Sequence, residues 1–523
     1  MLPRFKALLV LVGLLAFATP AQADWWEAST DHFVIYADDR EKDVREFAES
    51  LERYHSALEV VMARTSEKPS PSNRVTIFVV GKQKDIRRLA GTDSRTLRGF
   101  YVPRAGASRA FVEDIALSRG ELSPSMRILL HEYAHHYLMS SARYSMPRWF
   151  NEGAAEFLSS ARFERDGGVS LGRPAYHRGG ELAYAQDVSV EELLDADLYA
   201  RNKSDRYDAF YGRSWLLYHY LALSGERSGQ LVAYVTQVAN GTPSIEAGRA
   251  VFGDLDVLQD ELDDYKNSRR MVYLPLPAER IATGPVALRQ LPEGEAEMMD
   301  VRIRSQRGVN AQQAAELVEE AREIAARYPD DPGVLTALAE AEHDARNDDA
   351  AIAAADRAIA IDPNRKNAYV QKGLSLFRKA GQAENRDAAF REAMKPFSAL
   401  NALETDHPFP LIFFYRSYLE RGATPTENAK HALERASQLA PFDHGLAMNV
   451  GMMLAREGKV SLARATLGPV ATNPHGGRMA QTAASFRDAM ADAEEGVPWY
   501  PGRGAQSSDF DDDADDGADS GDD

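Results

Sequence analysis

The first half of this chain is organised around the sequence SPSMRILLHEYAHHYL, residues 123–138. Ser123 is a preferred helix cap and Pro124 is favoured at the first helical position, so a helix is predicted to begin there. Most of the residues that follow are apolar, which indicates that the helix is buried in a folded core. We therefore place the central helix of the first domain at this stretch.

The same helix carries the sequence HEYAH, in which His131 and His135 stand four residues apart. Residues at this spacing lie on one face of a helix, so both imidazoles can point at a single metal ion. Glu132 comes next along the backbone and can reach a water molecule at that ion. His136 lies about 100° further round the helix, so we interpret it as a structural residue.

A third ligand is needed, because a catalytic zinc ion usually takes three protein ligands and leaves its fourth position to water. Glu152 lies in the segment PRWFNEGAAE, residues 147–156, whose pattern is typical of the next helix. A carboxylate arriving from that helix can complete the site.

Short apolar stretches and one long helical pattern precede the motif helix. Residues 32–37 and 75–80 are predicted strands, and residues 42–63 between them are a predicted helix. Residues 99–102 and 109–112 are predicted to pair as a hairpin. These two strands either belong to the core or form an edge to which an extended peptide adds as a further strand.

The segment NEG, residues 151–153, resembles the corresponding part of the gluzincin peptidases, in which HExxH is followed by a separate helix with a glutamate ligand. The flanking segments WWEASTDHFVIY and YGRSWLLYHYL are similar to bacterial MA-like peptidase domains related to the M1 aminopeptidases. The similarity spans residues 24–273 and implies an α+β zincin-like domain. It also implies that Gly153 leaves room for close approach to the motif helix.

The resemblance implies roles for individual residues. His131, His135 and Glu152 would bind Zn²⁺, and Glu132 would be the general base of hydrolysis. Glu156, one turn after Glu152, would orient a histidine ligand through its second ring nitrogen. The alternative for Glu156 is an ordinary surface glutamate.

The resemblance also implies a hydrogen-bond donor that stabilises the oxyanion of the transition state. Tyr211 is the preferred catalytic candidate because it begins the YGRSW segment, and Tyr207 and His219 are alternatives. Tyr211 can instead belong to an aromatic packing stripe with Trp215 and Tyr218. The sequence has no segment of the Gly-Ala-Met-Glu-Asn type with which M1 aminopeptidases bind a free amino terminus, so aminopeptidase specificity is not implied.

The second half of the chain contains a repeat of about 34 residues. Pro329 and Pro363 are 34 residues apart, and Pro441 and Pro474 are 33 apart, each after a helical pattern rich in small residues. The pattern resembles the tetratricopeptide repeat over residues 311–492, with generic helical hairpins as the alternative. The resemblance implies an all-α helical repeat domain that binds a protein partner.

The remaining ranges are assigned from composition. Residues 274–310 contain several prolines and are expected to be a linker. Residues 493–523 are a predicted disordered acidic tail, which either keeps the chain soluble or binds calcium or a partner. Nine aspartates of this tail account for half of the formal net charge of −18. Nucleic acid is an unsuitable partner, because phosphate binding requires clustered lysine and arginine.

Residues 1–23 have the features of a cleaved signal peptide. Two basic residues precede a short apolar run, and AQA at residues 21–23 is a small-x-small cleavage signal. The run is shorter than the roughly 20 apolar residues that span a bilayer, and no later stretch of the sequence is long enough either. We therefore expect no stable membrane span. The alternative is that residues 1–23 are retained as an amino-terminal anchor. We expect a periplasmic or secreted protein, in which the lack of cysteine excludes disulfide bonds.

Taken together, these features predict an exported zinc metallopeptidase that hydrolyses a peptide or protein substrate and binds a partner through its repeats. One alternative is a catalytically idle envelope scaffold that acts through the repeats. Glu132 argues against that alternative, because a purely structural metal site does not need it. Another alternative is a metal hydrolase that acts on an amide outside a peptide.

Overall fold

The structure is a computed structural model that describes residues 24–65, 67–118, 121–141, 145–473 and 475–502. The predicted signal peptide and Pro474 lie outside the described residues. The same holds for residues 503–523 of the predicted tail.

An α+β unit occupies the first part of the described chain. Its strands are β1 Trp25–Ser29, β2 Phe33–Asp38, β3 Val75–Val79, β4 Gly99–Val102, β5 Arg109–Val112, β6 Leu117–Ser118, β7 Glu121–Leu122, β8 Arg162–Phe163, β9 Val169–Leu171, β10 Leu274–Leu276 and β11 Ala287–Gln290. Its helices are α1 Glu41–Met62, α2 Gln83–Ala90, α3 Pro124–Ser141, α4 Arg148–Ser159, α5 Gly179–Tyr184, α6 Val190–Leu194, α7 Ala196–Asn202, α8 Phe210–Leu223, α9 Gln230–Ala239, α10 Ser244–Phe252 and α11 Leu255–Lys266.

Six of these strands form a mixed sheet in the order β11-β1-β2-β3-β5-β4. Strands β2, β3 and β5 run parallel, and β4 pairs antiparallel with β5 at one edge, as the predicted hairpin requires. Alternate residues of β2, including Phe33 and Ile35, are fully buried beneath α1. The Tyr54 hydroxyl of α1 donates to the Leu130 carbonyl at 3.1 Å, which joins the motif helix α3 to this core.

Helix α3 begins at Pro124, as predicted, and the Met126 amide donates to the Ser123 hydroxyl at 3.1 Å. Its buried side includes Leu129, Leu130 and Ala134. Helix α3 packs beside the edge strand β4 and against α4, so residues of two helices and one sheet edge meet at a common surface.

The second part of the described chain is a helical repeat array. Consecutive helices pack against one another, and each pair stacks on the next one. The helices are α12 Glu293–Glu297, α13 Met299–Arg307, α14 Ala311–Arg327, α15 Pro332–Asp344, α16 Asp348–Ile361, α17 Lys366–Gly381, α18 Arg386–Leu403, α19 Pro408–Glu420, α20 Glu427–Leu439, α21 His444–Arg456, α22 Val460–Ala471 and α23 Gly477–Ala489.

Proline and small residues occupy the positions that the repeat pattern predicts. Pro329, Pro363 and Pro441 each follow the end of a helix. Gly373 of α17 allows close packing, because a Cβ atom there would lie 2.6 Å from Cζ of the Phe397 ring on α18. The spacing of these residues in the sequence therefore corresponds to stacked helix pairs.

The structure differs from the expected linker at 274–310. Strand β10 pairs with β9, and strand β11 extends the large sheet by pairing with β1. Helices α12 and α13 follow and pack against α14 and α15. Proline content indicated a linker, but backbone pairing with strands more than 100 residues away decided the conformation of this range.

Residues 493–502, which we expected to belong to a disordered tail, pack on the repeats. The Trp499 amide donates to the Ala455 carbonyl at 2.9 Å, and its ring contacts Phe486 edge-on with centroids 5.9 Å apart. The segment contains two acidic residues, Glu494 and Glu495, whereas the nine aspartates of the tail lie at residues 509–523. Among the described residues, no helix is long and apolar enough to cross a bilayer.

The repeat array folds back onto the α+β unit. Glu404 accepts hydrogen bonds from the Ser72 amide and hydroxyl at 2.9 and 3.0 Å. Asp443 accepts from the Ala105 amide at 2.8 Å. These contacts hold the concave side of the repeats over the surface where β4, α3 and α4 meet.

Candidate metal centre

Three side chains from two helices converge at this surface. Nε2 of His131 and Nε2 of His135 are 3.1 Å apart. Oε2 of Glu152 on α4 lies 3.5 Å from the first nitrogen and 3.4 Å from the second. The structure therefore brings the three predicted ligands together.

The geometry of this triad fits a tetrahedral zinc ion. Ligand atoms about 2.0–2.1 Å from zinc, separated by tetrahedral angles, are about 3.3 Å from one another. The three observed separations lie close to that value. Neither carboxylate oxygen of Glu152 accepts an aligned hydrogen bond from a described residue, although the side chain is fully buried. A buried carboxylate of this kind requires a cationic partner, which a metal ion or a protonated neighbouring histidine can supply.

The electrostatics of the triad also favour a cation. Burial alone would lower the pKa of His131, but Glu152 and Glu156 raise it to about 10. Burial would raise the pKa of Glu152, yet the neighbouring histidines hold it well below its usual range. Positive charge is therefore stabilised at the point where the three ligand atoms meet.

Glu156 has a defined position beneath the triad. Its side chain is buried, so the alternative of an ordinary surface glutamate is wrong. Oε1 lies 3.1 Å from Nδ1 of His131 and accepts a hydrogen bond from Arg178 at 2.7 Å. Oε2 lies 2.8 Å from Nε2 of His177. Glu156 thus contacts the nitrogen of His131 that faces away from the triad.

Glu132 and Tyr211 line the same cavity as the triad residues His131 and His135. Each side chain is half-buried and contributes to the wall of a large cavity. The Arg178 guanidinium lies 4.8 Å from the centre of the Tyr211 ring. Burial raises the pKa of Tyr211 and the charge of Glu152 adds to this, so the phenol stays protonated and can donate a hydrogen bond.

The alternatives to Tyr211 are engaged elsewhere. His219 is fully buried between the Gly172 carbonyl and the Tyr265 hydroxyl, each at 2.9 Å. The Tyr207 hydroxyl donates to Glu181 at 3.0 Å. Tyr211 is thus the candidate among the three with a place on the cavity wall.

His136 packs in the position expected of a structural residue. Its Nδ1 atom lies 2.6 Å from the Tyr101 hydroxyl, and its ring stacks on Tyr133 and contacts Phe442. Burial lowers the pKa of His136 to about 3, so the ring is neutral.

The structure adds a histidine that no sequence pattern singled out. His475, between α22 and α23, places Nε2 3.1 Å from Oε1 of Glu152, and its ring lies 5.9 Å from that of His135. More than 300 residues separate His475 from both partners. The helical repeat array therefore contributes a side chain to the candidate metal centre.

The glycine of the NEG segment faces a different helix from the one expected. A Cβ atom on Gly153 would lie 2.4 Å from the Ser214 carbonyl oxygen on α8. The expectation that Gly153 allows approach to the motif helix α3 is therefore corrected, because the close contact is between α4 and α8.

Gly153→Ala is expected to lower stability by about 1–3 kcal/mol, because the added methyl group forces α4 away from α8. Zinc affinity should fall as well, since the ligand Glu152 is the preceding residue. Thermal unfolding and zinc titration check both effects. Gly180→Ala on α5 is the matched control, because nothing lies within 4 Å of the added atom. An unchanged melting temperature for Gly153→Ala would contradict the prediction.

A single cavity of about 3290 Å³ connects the triad with the concave side of the repeats. The edge strand β4 forms part of its wall, as do Glu132 and Tyr211. Residues of α13, α15, α17, α19 and α21 line the opposite side. The triad is thus reached through a space that both parts of the chain enclose.

Comparison with solved structures finds distant likenesses. One is a thermophilic TPR protein of Thermus thermophilus, with 12% identity, a TM-score of 0.30, and coverage of 37% of this chain and 96% of that chain. Another is yeast Tom70, with 11% identity, a TM-score of 0.27, and coverage of 69% of each chain. No protein-family model matches the chain, and neither does any curated protein.

Proposed function

We propose that the chain binds a polypeptide in the cavity between its repeats and its α+β unit, and hydrolyses a peptide bond there as a zinc-dependent metallopeptidase. The observation that carries the proposal is the triad of His131, His135 and Glu152, with ligand atoms 3.1–3.5 Å apart. Glu132 lies beside this triad on the cavity wall.

Each residue has a role that follows from its position. Zinc, when bound, supplies a Lewis acid and lowers the pKa of water. Glu132 takes a proton from the attacking water and returns it to the leaving amine. Tyr211 donates a hydrogen bond to the developing oxyanion. Glu156 holds His131 in a fixed orientation through Nδ1, as carboxylates commonly do for metal-binding histidines.

The helical repeats have the role of a polypeptide-binding surface in this proposal. Their concave side lines the cavity, and the edge strand β4 lies on the opposite wall. An extended substrate can pair with the free edge of β4 while its side chains contact the repeats. We further propose that the protein acts outside the cytoplasm, after removal of residues 1–23.

A second candidate is a scaffold that binds protein through the repeats without hydrolysing it. The repeat architecture favours this candidate, because the array presents a concave surface independently of any chemistry. If the protein is such a scaffold, the triad would be a stabilising metal site and Glu132 would have no catalytic role.

Metal analysis of the purified chain, combined with cleavage of a peptide library, separates the two candidates. The metallopeptidase predicts one zinc ion per chain and cleavage that a chelator abolishes and added zinc restores. Library binding without cleavage, with zinc present, would support the scaffold and contradict the peptidase.

A further inference from the structure

The charge of the cavity is opposite to that of the whole chain. Among the described residues, sixteen arginine and lysine side chains line the cavity, against eight aspartate and glutamate side chains. The whole chain has a formal net charge of −18. Side chains of both signs are partly paired already, such as Glu156 with Arg178, Arg98 with Glu113 and Lys366 with Glu404. The cavity therefore attracts a polyanion.

Three arginines lie together in this wall. Arg109 is on β5, Arg302 is on α13, and Arg104 is in the turn between β4 and β5. Within the part of the chain that the structure describes, none of them has a carboxylate at ion-pair distance. Arg109 donates to the Gln306 side chain at 3.4 Å, and Arg302 donates to the Tyr36 hydroxyl at 3.1 Å.

The three guanidinium groups are close enough to affect one another. Burial lowers the pKa of Arg109 to about 10; the charges of Glu340 and Asp344 oppose this shift, and the charges of Arg104 and Arg302 add to it. The three arginines thus form a concentration of positive charge that the nearby carboxylates do not fully neutralise. Carboxylate ligands fit such a group, because the planar guanidinium donates two parallel hydrogen bonds to one carboxylate.

The size of the cavity indicates a polypeptide as its occupant. Pockets for small molecules measure about 300–1,000 Å³, and the volume of about 3290 Å³ is several times larger. A basic cavity of this size fits a chain segment with many carboxylates.

An acidic segment of the same chain begins at the cavity. Tyr500 and Pro501 line it, and residues 503–523 follow in the sequence. These 21 residues include nine aspartates and one arginine. Fully extended, they reach about 70 Å, which is enough to cross the cavity.

We propose that the acidic segment 509–523 of this chain binds in the cavity, with its aspartates against Arg104, Arg109 and Arg302. This inference stands on the charge and size of the cavity and does not depend on hydrolysis.

The test measures binding of a labelled synthetic peptide of residues 503–523. One protein is the wild-type full-length chain, and the other is a full-length tail-neutral variant with the nine aspartates replaced by asparagine. The peptide is expected to bind the tail-neutral variant about 10- to 100-fold more tightly, because a tethered tail competes at an effective concentration of about 1 mM. Added salt should weaken this binding.

The arginine cluster is tested in the tail-neutral background. Arg109→Gln combined with Arg302→Gln should weaken peptide binding by about tenfold or more. Arg104→Gln, a change at an exposed turn residue, should weaken binding without disturbing the interior. Arg201→Gln combined with Arg206→Gln is the matched control, because these exposed arginines do not line the cavity.

Three outcomes would overturn the proposal. The first is equal peptide affinity for the wild-type and tail-neutral chains. The second is binding that the variants at Arg104, Arg109 and Arg302 leave unchanged. The third is an equal loss of binding in the control at Arg201 and Arg206, which would indicate attraction by overall charge. Zinc content and cleavage are not read out, so failure of the peptidase proposal does not affect the result.

Discussion

Glu132→Gln is expected to lower peptide hydrolysis by about 10²- to 10⁴-fold, the usual size of a general-base contribution. Zinc content should stay at one ion per chain, because Glu132 is not among the three side chains whose ligand atoms converge. Glutamine keeps the shape of the side chain and its place on the cavity wall but cannot accept the proton. Zinc analysis and steady-state cleavage of one identified peptide measure the two effects.

Glu434→Gln is the matched control for this experiment. Glu434 also lines the cavity, but it lies on the repeat array at α20. The same loss of charge at that position should leave the rate within about twofold of wild type, since surface charges act weakly at a distance. Equal cleavage rates for Glu132→Gln and wild type would remove Glu132 from the mechanism.

Glu152→Ala is expected to remove most of the bound zinc. The Glu152 carboxylate is the buried anionic member of the triad, and its loss leaves only the two imidazoles of His131 and His135 as ligands. We expect zinc affinity to fall by more than about 100-fold, which exceeds the usual effect of a residue that only orients a ligand. Competition titration with a zinc indicator measures the change.

Glu156→Gln is the comparison that tests the assignment of the third ligand. Glu156 contacts the nitrogen of His131 that faces away from the triad, so its loss should weaken zinc binding by about 10- to 100-fold at most. Glutamine is preferred to alanine because its side-chain oxygen can still accept a hydrogen bond from the Arg178 guanidinium, which also pairs with Glu181. A larger loss of zinc in Glu156→Gln than in Glu152→Ala would reverse the assignment.

The sequence alone located the elements that depend on local spacing. The cap at Ser123 and the position of Pro124 determine where α3 begins, and a spacing of four residues places His131 and His135 on one face. In the same way, helical patterns followed by proline indicated the stacked helix pairs. Such features are readable because neighbouring residues determine them.

The role of Glu156 depended on tertiary structure. From the sequence, Glu156 could either orient a histidine ligand or lie on the surface. Its position one turn after Glu152 is compatible with both. Packing of α4 beneath α3 buries Glu156 beside His131, Arg178 and His177. Which carboxylate faces which nitrogen is decided by the angle between two helices, and no local pattern encodes that angle.

The cavity depended on tertiary structure even more than the role of Glu156 did, because residues from both parts of the chain line it. His475 and Glu152 are brought within 3.1 Å only because the repeat array folds back on the α+β unit. Strand β11 likewise completes the sheet by pairing with β1, although its range has the composition of a linker. Local spacing in the sequence therefore determined the helices and the pattern of candidate metal ligands. Contacts between distant segments decided how the site is enclosed. Such contacts depend on the packing of whole helices and strands, which local spacing does not specify.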